Sequence, residues 1–297
     1  IITILSCKTN SNSKENISVK INEISPNNEN SLKLEKDWYK DAFFYHIWVR
    51  AFNDSNNDGF GDIKGIIEKL DYLNDGNPET KNDLGIDAIW LSPIFESFGK
   101  GTSIHAYDTI DHYKINEKFG TNDDLELLLK EAHKRRIKVV FDFIPNHISA
   151  FHPWFLNAID EGDKKDWFIW SKNPDKNYGL AWGGGKWSDV WHKVIKNKSY
   201  FYGCFHRSMP DINFENQNAK NAINNVLIYW LNKGFDGARI DAARYIYEDG
   251  PKKQADVPRT LEYFTEMRKN IIDRYETSGY TKMMVGEIWT SSDIIKK

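Results

Sequence analysis

Gly234-Phe235-Asp236-Gly237-Ala238-Arg239-Ile240-Asp241-Ala242-Ala243 is the stretch that decides the fold. It follows a long amphipathic segment, about residues 218–233, and reads as a strand that ends in an acid. Side chains alternate along a strand, so Arg239 and Asp241 share one face. An arginine on the inner side of a sheet is costly unless a carboxylate answers it. An acid beside that arginine stays ionised, and at a strand end it can act as a nucleophile. Taken alone, Arg-x-Asp reads as a buried structural ion pair, and it is the rest of the chain that reverses this.

Working outward, the same rhythm repeats. Runs of β-prone residues stand at 43–49, 86–93, 138–143 and 283–288, each but the last followed by a helical pattern or a turn cluster. Ile63, Ile66, Ile67, Leu70 and Leu73 form one helical face, and Thr121 with Asp124 opens another helix through Arg136 with a capping box. Helices are also expected at about 218–233, stopped by Gly234, and at 259–277. Strands alternating with helices mean a parallel sheet covered by helices, in an open doubly wound sheet or a closed (β/α) barrel. No Gly-x-Gly-x-x-Gly follows the first strand, which counts against a nucleotide site. Acids at the carboxyl ends of the third, fourth and fifth strands suit the barrel, whose active site collects there. The connection from Ile148 to about Asn213 is too long for a plain loop. It carries Trp154, Trp167, Trp170, Trp182, Trp187 and Trp191 and is expected to be a small inserted domain.

Composition bounds the partners. The formal charge of −3 shows no basic excess, so nucleic acid is not expected to bind. Eleven Trp and fourteen Tyr suit flat apolar ligands such as sugar rings, as well as a large core. Two cysteines, Cys7 and Cys204, exclude a disulfide framework, and Cys204 reads as structural. No run is long enough to span a bilayer. Ile1-Ile2-Thr3-Ile4-Leu5-Ser6-Cys7 resembles the end of a signal region with a bacterial lipobox, which would place a lipid on Cys7 and the protein at the cell envelope or outside the cell. Lys8 to Leu34 reads as a polar tether without secondary structure. The expected division is 1–36 for leader and tether, 37–147 for the first three strands, 148–213 for the insert and 214–297 for strands four and five.

Asp142-Phe143-Ile144-Pro145-Asn146-His147, Gly237-Ala238-Arg239-Ile240-Asp241 and Val285-Gly286-Glu287-Ile288 stand in an order and spacing that resemble the α-amylase family of glycoside hydrolases. Met209-Pro210-Asp211-Ile212-Asn213 is similar to that family's signature at the end of its inserted domain, in the form intermediate between oligo-1,6-glucosidases and neopullulanases. His105-Ala106-Tyr107-Asp108 is similar to the segment after its second strand. The resemblance runs from about Trp38 to the last residue. It implies an eight-stranded (β/α) barrel, Asp241 as nucleophile, Glu287 as general acid/base and Arg239 as the cation that keeps the nucleophile charged. It also implies Tyr107 and His147 against the sugar at the cleavage point, with Asp142 as a buried partner of the arginine. Retaining hydrolysis of α-1,4-glucans would follow, by two carboxyl groups about 5 Å apart. Glu287 would then need a less compensated setting than Asp241, so that it keeps its proton.

Asp54, Asn56, Asp58 and Asp62, with Gly59 at a sharp turn and the Phe60 carbonyl, resemble the first half of a calcium loop, and the family carries one here; the alternative is a polar turn with Asp62 capping a helix. Trp182, Trp187 or Trp191 could line a polysaccharide groove. Two departures bear on specificity: Arg244, expected to contact the substrate, and Tyr245 stand where relatives often carry Lys and His, and Ile104 stands where oligo-1,6-glucosidases carry Asp, which favours internal cleavage. Only five barrel strands are counted, and no position matches the family's third acid. The 297-residue chain is therefore expected to be inactive or insoluble alone, and otherwise a monomer acting on maltooligosaccharides. A transglycosylase and a catalytically silent carbohydrate-binding protein are the alternative readings.

Overall fold

The structure, a computed structural model, describes residues 18–27, 29–98 and 103–296. Cys7, and with it the expected lipid anchor, lies outside the described residues. In chain order the elements are β1 (Phe44–Ile47), α1 (Val49–Phe52), α2 (Ile63–Glu68), α3 (Leu70–Leu73), β2 (Ala88–Leu91), β3 (Phe95–Ser97), β4 (Thr109–Ile115), α4 (Asn122–Lys134) and β5 (Lys138–Phe143). Then follow α5 (Pro153–Ile159), β6 (Trp170–Ser171), β7 (Trp191–Val194), β8 (Ser199–Tyr202), α6 (Gln217–Lys233), β9 (Gly237–Ile240), α7 (Pro258–Met267), α8 (Asp273–Thr277), β10 (Met283–Gly286) and α9 (Ser292–Ile295).

The five expected strands pair in parallel in the order β1-β2-β5-β9-β10, an open sheet with β1 and β10 at its edges. Register sets Asp142 beside Arg239, and Arg239 beside Val285, so the strand-end acids gather at one end of adjacent strands. Gly237 allows the close approach of β9 to β10, because a Cβ there would lie 2.5 Å from the Met283 Cβ and carbonyl oxygen. The capping box at α4 forms as expected, with Thr121 and Asp124 each bonding the other's backbone N–H. The core unites the Ile63, Ile66, Leu70 and Leu73 face with Leu125, Leu128, Leu129 and the buried side of α6. The helix expected over 63–73 is broken at Lys69 into α2 and α3.

Two parts depart from the alternating pattern. β3 and β4 make a separate antiparallel pair, with register shifts on both sides of Glu96 that hide any strand period. Within 148–213, β6, β8 and β7 form their own antiparallel sheet, with Val190, Trp191, Tyr202 and Cys204 buried together.

The segment expected to be a structureless tether is docked over its described part. The side chains of Asn218, Asn221, Asn225 and Asn232 recur along one face of α6 and meet the extended backbone of residues 19–27. Asn218 Oδ1 accepts from Val19 N at 2.8 Å, and Asn221 Nδ2 donates to Val19 O at 2.7 Å. Asn225 accepts from Asn22 N and donates to Lys20 O, both at 2.8 Å. Asn232 accepts from Ser25 N at 2.9 Å and donates to Glu23 O at 3.0 Å. A side-chain amide here does what a neighbouring peptide does in a sheet, while Val19 and Ile24 pack on the core. Asn225→Ala strands one donor and one acceptor of this arm, so it is expected to cost about 1–2 kcal/mol, read by urea unfolding. An unchanged midpoint would mean that the arm adds nothing to stability.

Candidate active site

β9 carries Arg239 to the sheet end, and its guanidinium is the hub of the site. Nη1 donates to Asp142 Oδ1 at 2.6 Å and to Asp241 Oδ1 at 2.7 Å, while Nη2 lies 2.8 Å from Glu287 Oε2. The Asp241 and Glu287 carboxyls come from adjacent strands, because Asp241 N donates to Phe143 O and Glu287 N to Ile240 O. Tyr107 donates its hydroxyl to Asp142 Oδ2 at 3.2 Å, and the Trp90 ring lies under the guanidinium with 5.4 Å to its centroid. Two alanines hold left-handed backbone beside these groups: Ala106 before Tyr107 at φ 61° and Ala242 after Asp241 at φ 52°. Alanine rarely adopts that region, so the surrounding contacts must impose it.

Burial pushes Asp241 up to about 7, helped by the Asp142 charge and opposed by Arg239. Asp142 is pushed up to about 6 by burial, again against Arg239. Glu287 goes the other way. Burial raises it, but the Trp289 indole, Arg239 and the Ala242 N–H together hold it below the usual range. This reverses the expected division, in which Glu287 was the less compensated acid. The reason is position: Glu287 follows the edge strand β10 with its side chain 31% exposed and Trp289 Nε1 donating at 2.8 Å, whereas Asp241 is enclosed behind Arg239.

The acids open into a cleft of about 800 Å³. His147 lines the cleft but is itself buried, driven down to about 4 by desolvation, with Nδ1 3.1 Å from Asn146 Oδ1. Asn146 Nδ2 donates to Tyr245 O at 2.7 Å and reaches Asp211 Oδ2 at 3.3 Å, which ties the Met209–Asn213 signature to the end of β5. Of the tryptophans considered for a groove, Trp182 lines the cleft with Phe205, Trp191 is buried with Tyr202, and Trp187 packs on Tyr200 away from it. His105 and Met209, each at the start of a segment that resembles the family's, also line the cleft, and so does Trp289, which no motif, period or charge marked in the sequence.

Arg244 reaches the cleft but not as a free sugar donor. Its Nε and Nη2 grip the two oxygens of Asp256, and Nη1 donates to the Trp289 carbonyl. In the loop after α1, Asp54 Oδ1 accepts from the amides of Asn56, Asn57 and Asp58, and Oδ2 from Gly59. Asn56 and Asp58 point oxygens into the same turn, accepting from Asp58 N and Phe60 N. Asp62 is the N-cap of α2, accepting from Gly65 N at 2.7 Å and from Ser55, so the helix-capping reading describes it. Among the described residues no three His, Cys, Asp or Glu side chains converge into a metal cluster.

A parallel β/α sheet with two carboxyl groups at neighbouring strand ends around one arginine belongs to the class of barrel glycosidase catalytic domains. Within that class the chain belongs to the alpha-amylase family, whose catalytic-domain model matches residues 46–297. It is 36% identical over 255 residues to Alpha-amylase 3 of Dictyoglomus thermophilum, covering 85% of this chain and 44% of that protein. It is 34% identical over 272 residues to the oligo-1,6-glucosidase of Bacillus cereus, covering 86% and 46%. The crystal structure of an alpha-amylase from H. orenii superimposes with a TM-score of 0.73 at 39% identity, covering 86% of this chain and 49% of that one. The chain thus spans less than half the length of the curated relatives named. The family fold is an eight-stranded barrel, and the five parallel strands are consistent with part of one.

Proposed function

We propose that this chain carries the catalytic centre of a retaining hydrolase of α-glucosidic bonds in maltooligosaccharides, acting within chains. One observation carries the reading: Asp241 and Glu287 share a single guanidinium beside a sugar-sized cleft, so both carboxyls can flank the same glucosidic bond. Asp241, ionised beside Arg239, attacks the anomeric carbon to form a glycosyl ester as the leaving oxygen departs, and water later restores the carboxylate that Arg239 pairs. Glu287 protonates the leaving oxygen and then activates water. To do so it must gain proton affinity, which follows when a sugar ring dries its exposed side and loosens the Arg239 Nη2 contact. Tyr107 and His147 bound the sugar, with Asp142 fixing both Tyr107 and Arg239. Exposed Trp182, with Phe205, offers apolar faces for neighbouring rings. The 148–213 insert acts as one wall of the cleft, and Ile104 leaves room for internal cleavage.

The test is product stereochemistry. Maltoheptaose digestion followed by proton NMR is expected to release α-anomers first, together with mid-length products. First release of β-anomers, or of glucose alone, would overturn retention or internal attack respectively.

The same reading includes a Ca²⁺ ion held by Asp54, Asn56, Asp58 and the Phe60 carbonyl, with Asp62 completing the set only if it releases part of its cap. Hard oxygen donors at alternate positions of one tight turn support it. Ca²⁺ would stiffen the loop after β1. Adding it is expected to raise Tm, and Asp58→Ala to abolish the rise; calorimetry with no shift, or with an equal shift in the variant, removes the ion. Anchoring through a lipid on Cys7 belongs to the same proposal.

A further inference from the structure

The Trp289 ring is 78% exposed, yet its indole N–H donates to Glu287 Oε1 at 2.8 Å. An indole that open to water needs something to hold it on a carboxylate. The support is on the backbone side: the Trp289 carbonyl accepts from Arg244 Nη1. Arg244 cannot swing, because Asp256 holds it through both carboxylate oxygens, with Nε to Oδ1 at 3.0 Å. Asp256 also accepts from Thr290 Oγ1 at 3.2 Å, and its own N–H donates to Arg244 O at 3.0 Å. Both side chains are well covered, 15% and 14% exposed, so the pair is not a loose surface bridge. A planar bidentate fork of this kind fixes direction as well as charge.

We propose that Asp256 and Arg244 form a clamp that places the Trp289 indole on Glu287, making both positioning residues for the acid and not sugar contacts. The inference rests on the hydrolase reading for its purpose, though not for its test. Around Glu287 stand Arg239 and Asp241 from β9, Asp142 and His147 from β5 and the turn after it, Tyr107, and Arg244 across the cleft. None of these but Arg244 touches the Trp289 carbonyl. Releasing the clamp therefore removes one donor from Glu287 and leaves the Arg239 hub in place.

The experiment uses the full chain labelled with ¹⁵N. The Trp289 indole resonance is identified by its loss in Trp289→Phe, and its pH titration reports Glu287, as Glu287→Gln confirms by removing it. Asp256→Asn is expected to move the resonance towards that of a solvent-exposed indole and to raise the midpoint by about one pH unit. Asp256→Glu, which keeps the charge and both oxygens, is expected to restore much of both. A resonance and midpoint unchanged in Asp256→Asn overturn the clamp. Should that variant not fold, Arg244→Lys carries the same two expectations, since an ammonium cannot make the fork. The hydrolase reading is tested apart from this, by the anomers released in any form of the protein that turns over, so the resonance alone decides the clamp.

Discussion

Asp241→Asn is expected to lower glucosidic bond cleavage by at least about 10⁴-fold in any form of the protein that turns over, and at the same time to make it more stable. The first effect follows from removing the nucleophile while the acid and the cleft remain. The second follows from linkage. Asp241 sits at about 7 in the folded chain against 3.8 for a free aspartate, chiefly through burial beside Asp142. A carboxyl raised in this way favours folding fully below about pH 3.8, and that contribution is lost as pH rises through about 7. The amide does not ionise, so the two proteins should match near pH 4. The variant should gain up to about 4 kcal/mol above pH 7, with Arg239 still paired to Asp142 and Glu287. Urea unfolding at pH 4 and pH 7.5 reads both ends. A gain that grows towards acid, or a variant weaker at pH 7.5, would contradict the placement of Asp241.

Arg239→Met is expected to do the reverse and to cost about 3–5 kcal/mol near neutrality, because it strands buried carboxylates that have one shared cation. Asp142 is wholly enclosed and Asp241 nearly so, with side chains 0% and 11% exposed, so water cannot replace the guanidinium. Without it all three acids take up protons more readily than in the unfolded chain. The loss should therefore be largest above neutral pH and shrink towards pH 4 as the acids become neutral. Adding Asp241→Asn to Arg239→Met should recover part of the loss, since one fewer charge is left unanswered. A penalty independent of pH, or a double variant no better than the single, would show that packing on Trp90 and not charge is what Arg239 supplies.

The parallel sheet was legible because each strand is a short β-rich run ending in a turn or acid, and because Gly234 and the Thr121–Asp124 box mark helix ends in local chemistry. Asp142, Arg239, Asp241 and Glu287 were legible for a related reason, since charge at the end of an apolar strand is conspicuous. The proton preference of Glu287 was not. It depends on an indole two residues on and on exposure at a sheet edge, neither of which a motif records. The pairing of Arg244 with Asp256 was not legible, because Asp256 stands in a loop with no pattern to link them. The small sheet in the insert escaped because β6 is two residues long and lies a long Gly- and Lys-bearing connection before β7 and β8. The arm along α6 escaped more completely, since its contacts involve almost none of its own side chains.

That last property has a consequence for how the segment can change over generations. The asparagines of α6 recognise amides and carbonyls that every residue but proline presents alike, so apart from Val19 and Ile24, which pack on the core, the spelling of 19–27 is nearly free while its extended shape is not. The segment also precedes the region that the family model matches. Kinship there is better sought in the spacing of asparagines on the helix than in the letters of the arm. A foreign stretch of equal length should settle into the same track provided it keeps apolar residues at 19 and 24 and places no proline at 19, 22, 25 or 27, whose N–H groups donate to α6.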